Sequence, residues 1–282
     1  MSNAQTDIYA VIGNPISHSL SPKIHNAIFN KYKLNCLYSA ICIDYANIKN
    51  FILSMKTLNI KGVNVTVPFK ETLVEYLDKP DSFVTKCGAV NTIINNNGVI
   101  YGYNTDGIGF LYVLEHVLNL NLLNKKVVVL GAGGTAKSIG FSLISTNIAS
   151  LSLINRSSDK VVSLQDSLQA ENSSLEINAF KLADSAIYDV LADSDIIINT
   201  TSVGMSVSDS LLLDNMDWVN SNKVCIDVIY NPNETLFLKE SRLRGAKTLN
   251  GVSMLAAQAM YAAEYFTYKK IDYKFILDQL KG

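Results

Sequence analysis

The sequence predicts an α/β protein of two domains, and three observations carry that prediction. Short apolar β-type runs alternate with helical stretches along nearly the whole chain. A glycine-rich turn follows one of those runs midway. The length, 282 residues, exceeds the roughly 100–200 of one ordinary domain.

In the first third, 7–12 reads as a strand, 22–32 as a helix, 36–43 as a strand, 47–57 as a helix and 62–67 as a third strand. That βαβαβ rhythm belongs to a parallel sheet covered by helices. The runs 89–94 and 99–103 flank NNNG (95–98) and read as a β-hairpin, because Asn-Gly supplies the positive φ of a tight turn. An antiparallel element there marks the end of the first sheet. A helix over 106–118 leads away from it, followed by the polar stretch 119–126. A second βαβ series then starts with strand 126–130, helix 135–145 and strand 151–155. Strands at 195–199, 224–228 and 247–249 and a last apolar helix at 253–265 complete the pattern.

Composition excludes several function classes. Lys+Arg (24) and Asp+Glu (25) nearly cancel, leaving a net charge of -1, so no excess of basic charge exists to coat a phosphate backbone and no nucleic-acid partner is expected. Apolar runs such as 127–130 and 211–213 fall far short of the ~20 residues of a spanning helix, so no membrane partner is expected either. The first residues lack a basic stretch followed by an apolar one, so no signal peptide is expected. Cys36, Cys42, Cys87 and Cys225 form no CxxC pair and read as reduced, mostly buried thiols of a cytoplasmic protein. His18, His25 and His116 lack metal-ligand spacing, so no metal is expected.

The glycine turn carries the first chemistry. VVVLGAGGTA (127–136) is a buried strand running into G-x-G-G-x-A with a helix after it and a second strand ending at Asn155, the context that turns a weak motif into a dinucleotide site. Gly131 permits the tight turn, Gly133 lets a pyrophosphate approach the backbone, Gly134 continues the turn, and Ala136 keeps helix and strand close. The helix N-terminus offers N–H groups to the anion. The second half is therefore predicted to be a Rossmann-type domain. Where an NAD site usually has an acid, this chain has Asn155, Arg156 and Ser157, with Lys160 a turn later. Arg156 and Lys160 can face a 2′-phosphate and Ser157 can donate to it, which favours NADP; Asp159 is the one dissenting charge.

The first domain carries the second. In GVNVTVPFK (62–70), a period of two puts Val63, Val65 and Val67 on one face and Asn64 and Thr66 on the other. Pro68 ends the strand, so Lys70 emerges past its carboxyl end, the edge where open α/β sheets bind ligands. A lone lysine there is ordinarily a solvated charge, but three polar clusters accompany it. SHSLSP (17–22) sets three hydroxyls and an imidazole before a helix that Ser19 or Ser21 could cap. AVNT (89–92) places Asn91 inside an apolar strand, and NTDG (104–107) places Asp106 at the domain junction, where it could equally be a helix cap.

Together these segments resemble the shikimate dehydrogenase family. SHSLSP (17–22), NVTVPFK (64–70), GAVNT (88–92), NTDG (104–107), GAGGTA (131–136), NRS (155–157), NTTSVGM (199–205), DVIYNPNET (227–235) and NGVSMLAAQA (250–259) match in order over essentially the whole chain. The resemblance implies NADPH-dependent interconversion of 3-dehydroshikimate and shikimate in aromatic amino-acid biosynthesis. It implies that Ser19 and Ser21, helped by Tyr230, hold the substrate carboxylate. Asn64, Thr66, Asn91 and Gln258 would bond the ring hydroxyls, and Lys70 and Asp106 would be the catalytic pair. Thr201 joins the cofactor contacts, and the backbone of Gly251 would meet the nicotinamide carboxamide. The implied domains are 1–105 with 251–282 for substrate and 106–250 for NADP, in a monomer or homodimer whose only other partner is the small-molecule substrate. Lys137 and Lys160 stand where the family commonly has Arg, which weakens the implied NADP preference, and Asn250 stands where Asp is common. The rivals are a quinate/shikimate dehydrogenase that accepts NAD and a catalytically silent NADP-binding sensor.

Overall fold

The computed structural model describes residues 3–206 and 211–281. The chain divides into two compact units, Met1–Gly109 with Ala256–Gly282, and Phe110–Leu255. Both divisions fall inside helices, a few residues after the motif-based boundaries at 105 and 250.

The first unit contains β1 (Asp7–Gly13), α1 (Ser21–Lys31), β2 (Cys36–Cys42), α2 (Ile48–Thr57), β3 (Gly62–Val65), β4 (Lys79–Pro80), α3 (Ser82–Cys87), β5 (Thr92–Asn96) and β6 (Val99–Tyr103). Its sheet runs β2-β1-β3-β5-β6-β4. The pairs β1–β2, β1–β3 and β4–β6 are parallel; β3–β5 and β5–β6 are antiparallel. The strand predicted to end at 67 stops at Val65, and Val67 is exposed rather than on the core face with Val63 and Val65. All four residues of β3 are buried, Asn64 included, because the strand lies in the middle of a covered sheet. The predicted hairpin forms with a loop of only Asn97 and Gly98, whose φ values of 52° and 87° are those a two-residue turn of this hand requires.

The second unit begins within α4 (Thr105–Tyr112), at Phe110, and the helix runs on as a π-helical turn over Val113–Val117. Next come β7 (Lys126–Leu130), α5 (Gly134–Leu143), β8 (Ser150–Asn155), α6 (Ser158–Glu171), β9 (Glu176–Lys181) and α7 (Ile187–Asp193). After these come β10 (Ile196–Asn199), β11 (Val224–Asp227), α8 (Leu236–Leu243) and β12 (Lys247–Leu249). The sheet order is β12-β11-β10-β7-β8-β9, every pair parallel. Counted from β7 this is the doubly wound order 3-2-1-4-5-6, which reverses between β7 and β10 and leaves a crevice outside their carboxyl ends. Buried Lys223 closes the carboxyl end of α7, donating to the carbonyls of Leu191 (2.9 Å), Ala192 (2.9 Å) and Ser194 (2.6 Å).

Two helices end the chain, α9 (Val252–Thr267) and α10 (Tyr273–Lys281). The later part of α9 packs on the first sheet. Phe266 lies 4.9 Å from the Tyr9 ring and fills the space a Cβ on Gly62 would need. A Cβ on Gly109 would stand 2.8 Å from the backbone nitrogen of Gln258, so that glycine lets α4 and α9 touch. Lys31 ties α1 to α10 through Asp272 (3.2 Å) and the Phe275 ring (4.0 Å). Two of the four cysteines, Cys87 and Cys225, are buried; Cys36 is half-buried and Cys42 exposed, fewer buried than expected. Among the described residues no helix is long and apolar enough to cross a membrane, and no group of three or more His, Cys, Asp or Glu could hold a metal ion.

Candidate active site

Lys70 is set by the turn that ends β3. Phe69 is fully buried and donates to Thr66 O (3.0 Å), Leu73 donates to Phe69 O (3.0 Å), and the carbonyl of Lys70 itself accepts from Val90 (2.8 Å). The backbone on both sides of the lysine is thereby anchored. Asp106 lies in the first turn of α4, but it does not cap the helix. Asn104 Oδ1 accepts the Asp106 N–H (3.0 Å), while its Nδ2 donates to Ala89 O (2.8 Å), so the Asp106 carboxylate is left for other work. Lys70 Nζ donates to Asp106 Oδ2 at 2.6 Å, with side-chain exposures of 13% and 7%. Asn91 Nδ2 donates to the other carboxylate oxygen at 2.8 Å. A mostly desolvated ion pair of this kind holds an ammonium proton in one place, which is what proton delivery to a developing alkoxide requires.

The polar neighbours form one continuous network. Asn91 Oδ1 accepts from the Thr105 N–H (2.8 Å) and the Thr92 hydroxyl (2.9 Å). Asn64 Nδ2 donates to Asn91 O and Thr92 Oγ1, both at 3.1 Å, and Asn64 Oδ1 accepts from the Tyr38 hydroxyl at 2.7 Å. The Ser21 side chain lies against the same phenol. Neither serine is the cap of α1: Leu20 occupies that position, Ser21 opens the helix ahead of Pro22, and Ser19 Oγ accepts the Ser21 N–H at 3.3 Å. Thr66 stands beside Gly13, where a Cβ would meet its methyl group at 2.5 Å, and Gln258 is half-buried on α9. The structure thus joins Asn64, Asn91, Asp106 and Lys70 directly, with Ser21 at the far end of the chain of contacts.

In the second unit, Gly131 has φ 116° at the end of β7, and any side chain there would run into Thr200 Oγ1. Gly133 precedes α5, and among the described residues beyond its chain neighbours no atom lies within 4 Å of where its Cβ would stand, so that side of it faces open space. Gly134 begins the helix and Ala136 is buried against it. Thr201 packs beside Gly131, its N–H and hydroxyl both bonded to Asn199 Oδ1 (3.0 and 2.8 Å). Asn155 ends β8, donating to Ser157 O (3.0 Å), and Ser157 precedes α6 without a side-chain cap bond. Arg156 lines a pocket of about 350 Å³ with Lys181, Leu182, Tyr188, Leu213 and Asp214 among others. Lys160, on α6, is not part of that lining; Lys181 is the second cation there, paired in register with Asn155 across β8 and β9.

Fully buried Asp227 ties this edge together. Its carboxylate accepts from Thr235 Oγ1 (2.7 Å), the Ile229 N–H (3.0 Å) and Asn199 Nδ2 (3.2 Å), while burial pushes its pKa up. The loop carrying Thr201 and the loop carrying Tyr230 are therefore fastened to one side chain. Burial also raises the Tyr230 phenol. Gly251 donates to Ile229 O (2.9 Å), and a side chain at 251 would collide with the Val228 carbonyl. Sequence patterns do not single out Tyr38, Lys181 or Asp227. The signal for Asp227 was an acid closing the apolar run VCID, since a buried acid needs several donors. Tyr38 reads as one more strand aromatic.

A doubly wound sheet with a glycine turn and no acid after its second strand, in a chain that elsewhere holds an ion-paired lysine among amides, defines a dinucleotide-dependent oxidoreductase. Residues 11–93 match the shikimate dehydrogenase substrate binding domain, and residues 113–233 match the shikimate/quinate 5-dehydrogenase family. The shikimate dehydrogenase (NADP(+)) of Methanosphaera stadtmanae is 40% identical over the full length of both chains. That of Geobacillus kaustophilus is 40% identical over 92% of each. A shikimate dehydrogenase crystallised in complex with NADP+ is 33% identical and superposes with a TM-score of 0.91, covering 100% of this chain and 96% of that one. The chain belongs to the shikimate dehydrogenase family.

Proposed function

We propose that the chain reduces 3-dehydroshikimate to shikimate with NADPH, reversibly. The observation that carries the reading is the 2.6 Å Lys70–Asp106 pair, oriented by Asn91, in a chain 40% identical to an NADP(+)-dependent shikimate dehydrogenase over its full length.

The second unit fits an NADP molecule. Gly131, Gly133, Gly134 and Ala136 would form the turn under the pyrophosphate, where the open space at Gly133 admits a close approach and the α5 N-terminus favours an anion. Asn155 and Ser157 would flank the ribose, and Arg156 would face the 2′-phosphate, with Lys181 sharing its pocket and Lys160 acting only from outside it. Thr201 and the Gly251 backbone would hold the nicotinamide half. When bound, NADPH supplies the hydride that reaches the ketone carbon.

The remaining chemistry belongs to side chains that, Tyr230 apart, are those of the first unit. Lys70 Nζ gives a proton to the oxygen that becomes the hydroxyl and takes it back in the reverse direction, while its charge stabilises the alkoxide as it forms. Asp106 orients the ammonium and accepts from a substrate hydroxyl. Ser19, Ser21 and Tyr230 hold the carboxylate with neutral donors, and Asn64, Thr66, Asn91 and Gln258 position the ring. All of these residues are the chain's own, which is compatible with the monomer or homodimer proposed; the cytoplasm is proposed on the free cysteines.

The test is NADPH formation, followed by absorbance, when the purified chain is given shikimate and NADP+. Turnover that disappears in Lys70→Ala is expected. Dinucleotide binding without turnover would instead favour the silent sensor, and faster turnover of quinate with NAD would favour the broader dehydrogenase.

A further inference from the structure

Tyr38 lies in mid-strand, 2% exposed, and no role in the chemistry described above requires it. Three contacts immobilise it from α1. Asn26 Nδ2 donates to Tyr38 O (2.8 Å), and the Tyr38 N–H donates to Asn26 Oδ1 (2.9 Å), so one side chain holds both of its backbone groups. The neighbouring His25 ring stacks on the phenol at 4.3 Å and 8°. Burial pushes His25 down to about 3, so the stacked ring is neutral, and among the described residues its Nδ1 has no hydrogen-bond partner. Burial raises the Tyr38 phenol well above its ordinary value, which keeps its one proton in place.

That proton goes to Asn64 Oδ1 at 2.7 Å. The orientation of the Asn64 amide is not arbitrary, because Nδ2 faces Asn91 O, and a carbonyl can only accept. Both Nδ2 hydrogens are committed, one to Asn91 O and one to Thr92 Oγ1. What Asn64 retains is the second lone pair of Oδ1. We infer that Tyr38 is a positioning residue for substrate: it pins Asn64 so that Oδ1 accepts from a ring hydroxyl, and the same phenol abuts Ser21, which is assigned to the other end of the substrate. This inference rests on the shikimate reading for its ligand, but not for the Tyr38–Asn64 geometry.

The experiment uses Tyr38→Phe in the full chain, which keeps the ring on His25 and removes only the hydroxyl. The expected result is a shikimate KM raised about tenfold, kcat within threefold of wild type and NADP+ KM unchanged. A merely structural role would lower Tm and leave the two KM values in their wild-type ratio. Because Tyr38 acts through Asn64, Tyr38→Phe added to Asn64→Ala should raise the shikimate KM no further. A wild-type shikimate KM in the single variant, or a full multiplicative effect in the double, overturns the inference. NMR of the wild-type chain gives a second readout that needs neither substrate turnover nor a folded variant. The Asn64 side-chain amide protons should exchange slowly with solvent, and rapid exchange would also overturn it. Slow exchange in a chain that does not oxidise shikimate would locate the failure in the substrate reading instead.

Discussion

Asn91 and Lys70 divide the Asp106 carboxylate between them, the amide on Oδ1 at 2.8 Å and the ammonium on Oδ2 at 2.6 Å. The carboxylate is thus held in one plane by a neutral donor that takes no part in proton transfer. Asn91→Ala removes that donor and leaves the Thr105 N–H without its acceptor. We predict a kcat at least tenfold lower and a loss of about 1–3 kcal/mol in unfolding free energy, read by steady-state kinetics and urea melts.

Lys70→Met keeps the stem and removes the charge. General acid catalysis contributes roughly 10²–10⁴-fold, so kcat should fall by at least about a hundredfold. The variant also strands a nearly buried carboxylate, which should cost about 3 kcal/mol. Restored stability without restored activity is expected of Lys70→Met combined with Asp106→Asn. Near-wild-type kcat in the single variant would remove Lys70 from the chemistry.

Arg156 and Lys181 line one pocket, while Lys160 lies outside it. Arg156→Ala should lower kcat/KM for NADPH tenfold or more and leave the NADH value within threefold. Lys181→Ala should follow the same pattern more weakly, and Lys160→Ala should be weakest. Equal wild-type kcat/KM values for the two cofactors would contradict the 2′-phosphate assignment.

His25 makes stability depend on pH. Its folded pKa lies near 3 against an ordinary 6.5, so between those values the unfolded chain binds a proton that the folded chain does not. Acidification across that window therefore favours unfolding, by up to about 1.4 kcal/mol per pH unit from this group. His25→Phe should flatten the slope; urea melts at pH 7 and pH 4.5 would measure it, and an unchanged slope would assign the acid lability elsewhere.

Elements were legible where apolar or turn residues mark their ends, whether they bury most of their residues, as β7 does, or none, as in β12. The bounds of β7 and β12 were read as they stand, and the glycine turn and hairpin announced themselves through residues with few alternatives. The segments left unassigned, among them α6, β9, α7, α8 and α10, are peripheral. In β9 only Ile177 is buried, too sparse a signal for its period to show. β5 was expected from 89, but Val90 and Asn91 bond to Lys70 O and Tyr103 O, outside the regular β5 ladder. For the site, residue types were legible from local pattern, whereas the pairing of Lys70 with Asp106 came only through the family resemblance. Lys70 and Asp106 are 36 positions apart, and nothing local in either segment says that they meet.

The locked amides of Asn64 and Asn91 carry one more consequence. Neither can rotate through 180° without setting donor against donor or oxygen against oxygen, since Asn64 nitrogen faces a carbonyl and Asn91 oxygen faces an N–H. Two amides so fixed set the direction of one remaining acceptor, the second lone pair of Asn64 Oδ1, and the plane of the Asp106 carboxylate before any ligand arrives. Under the proposed function, a polyol and its epimer at one ring carbon meet these fixed groups differently, so discrimination between stereoisomers would be built into the unliganded protein rather than created by the encounter.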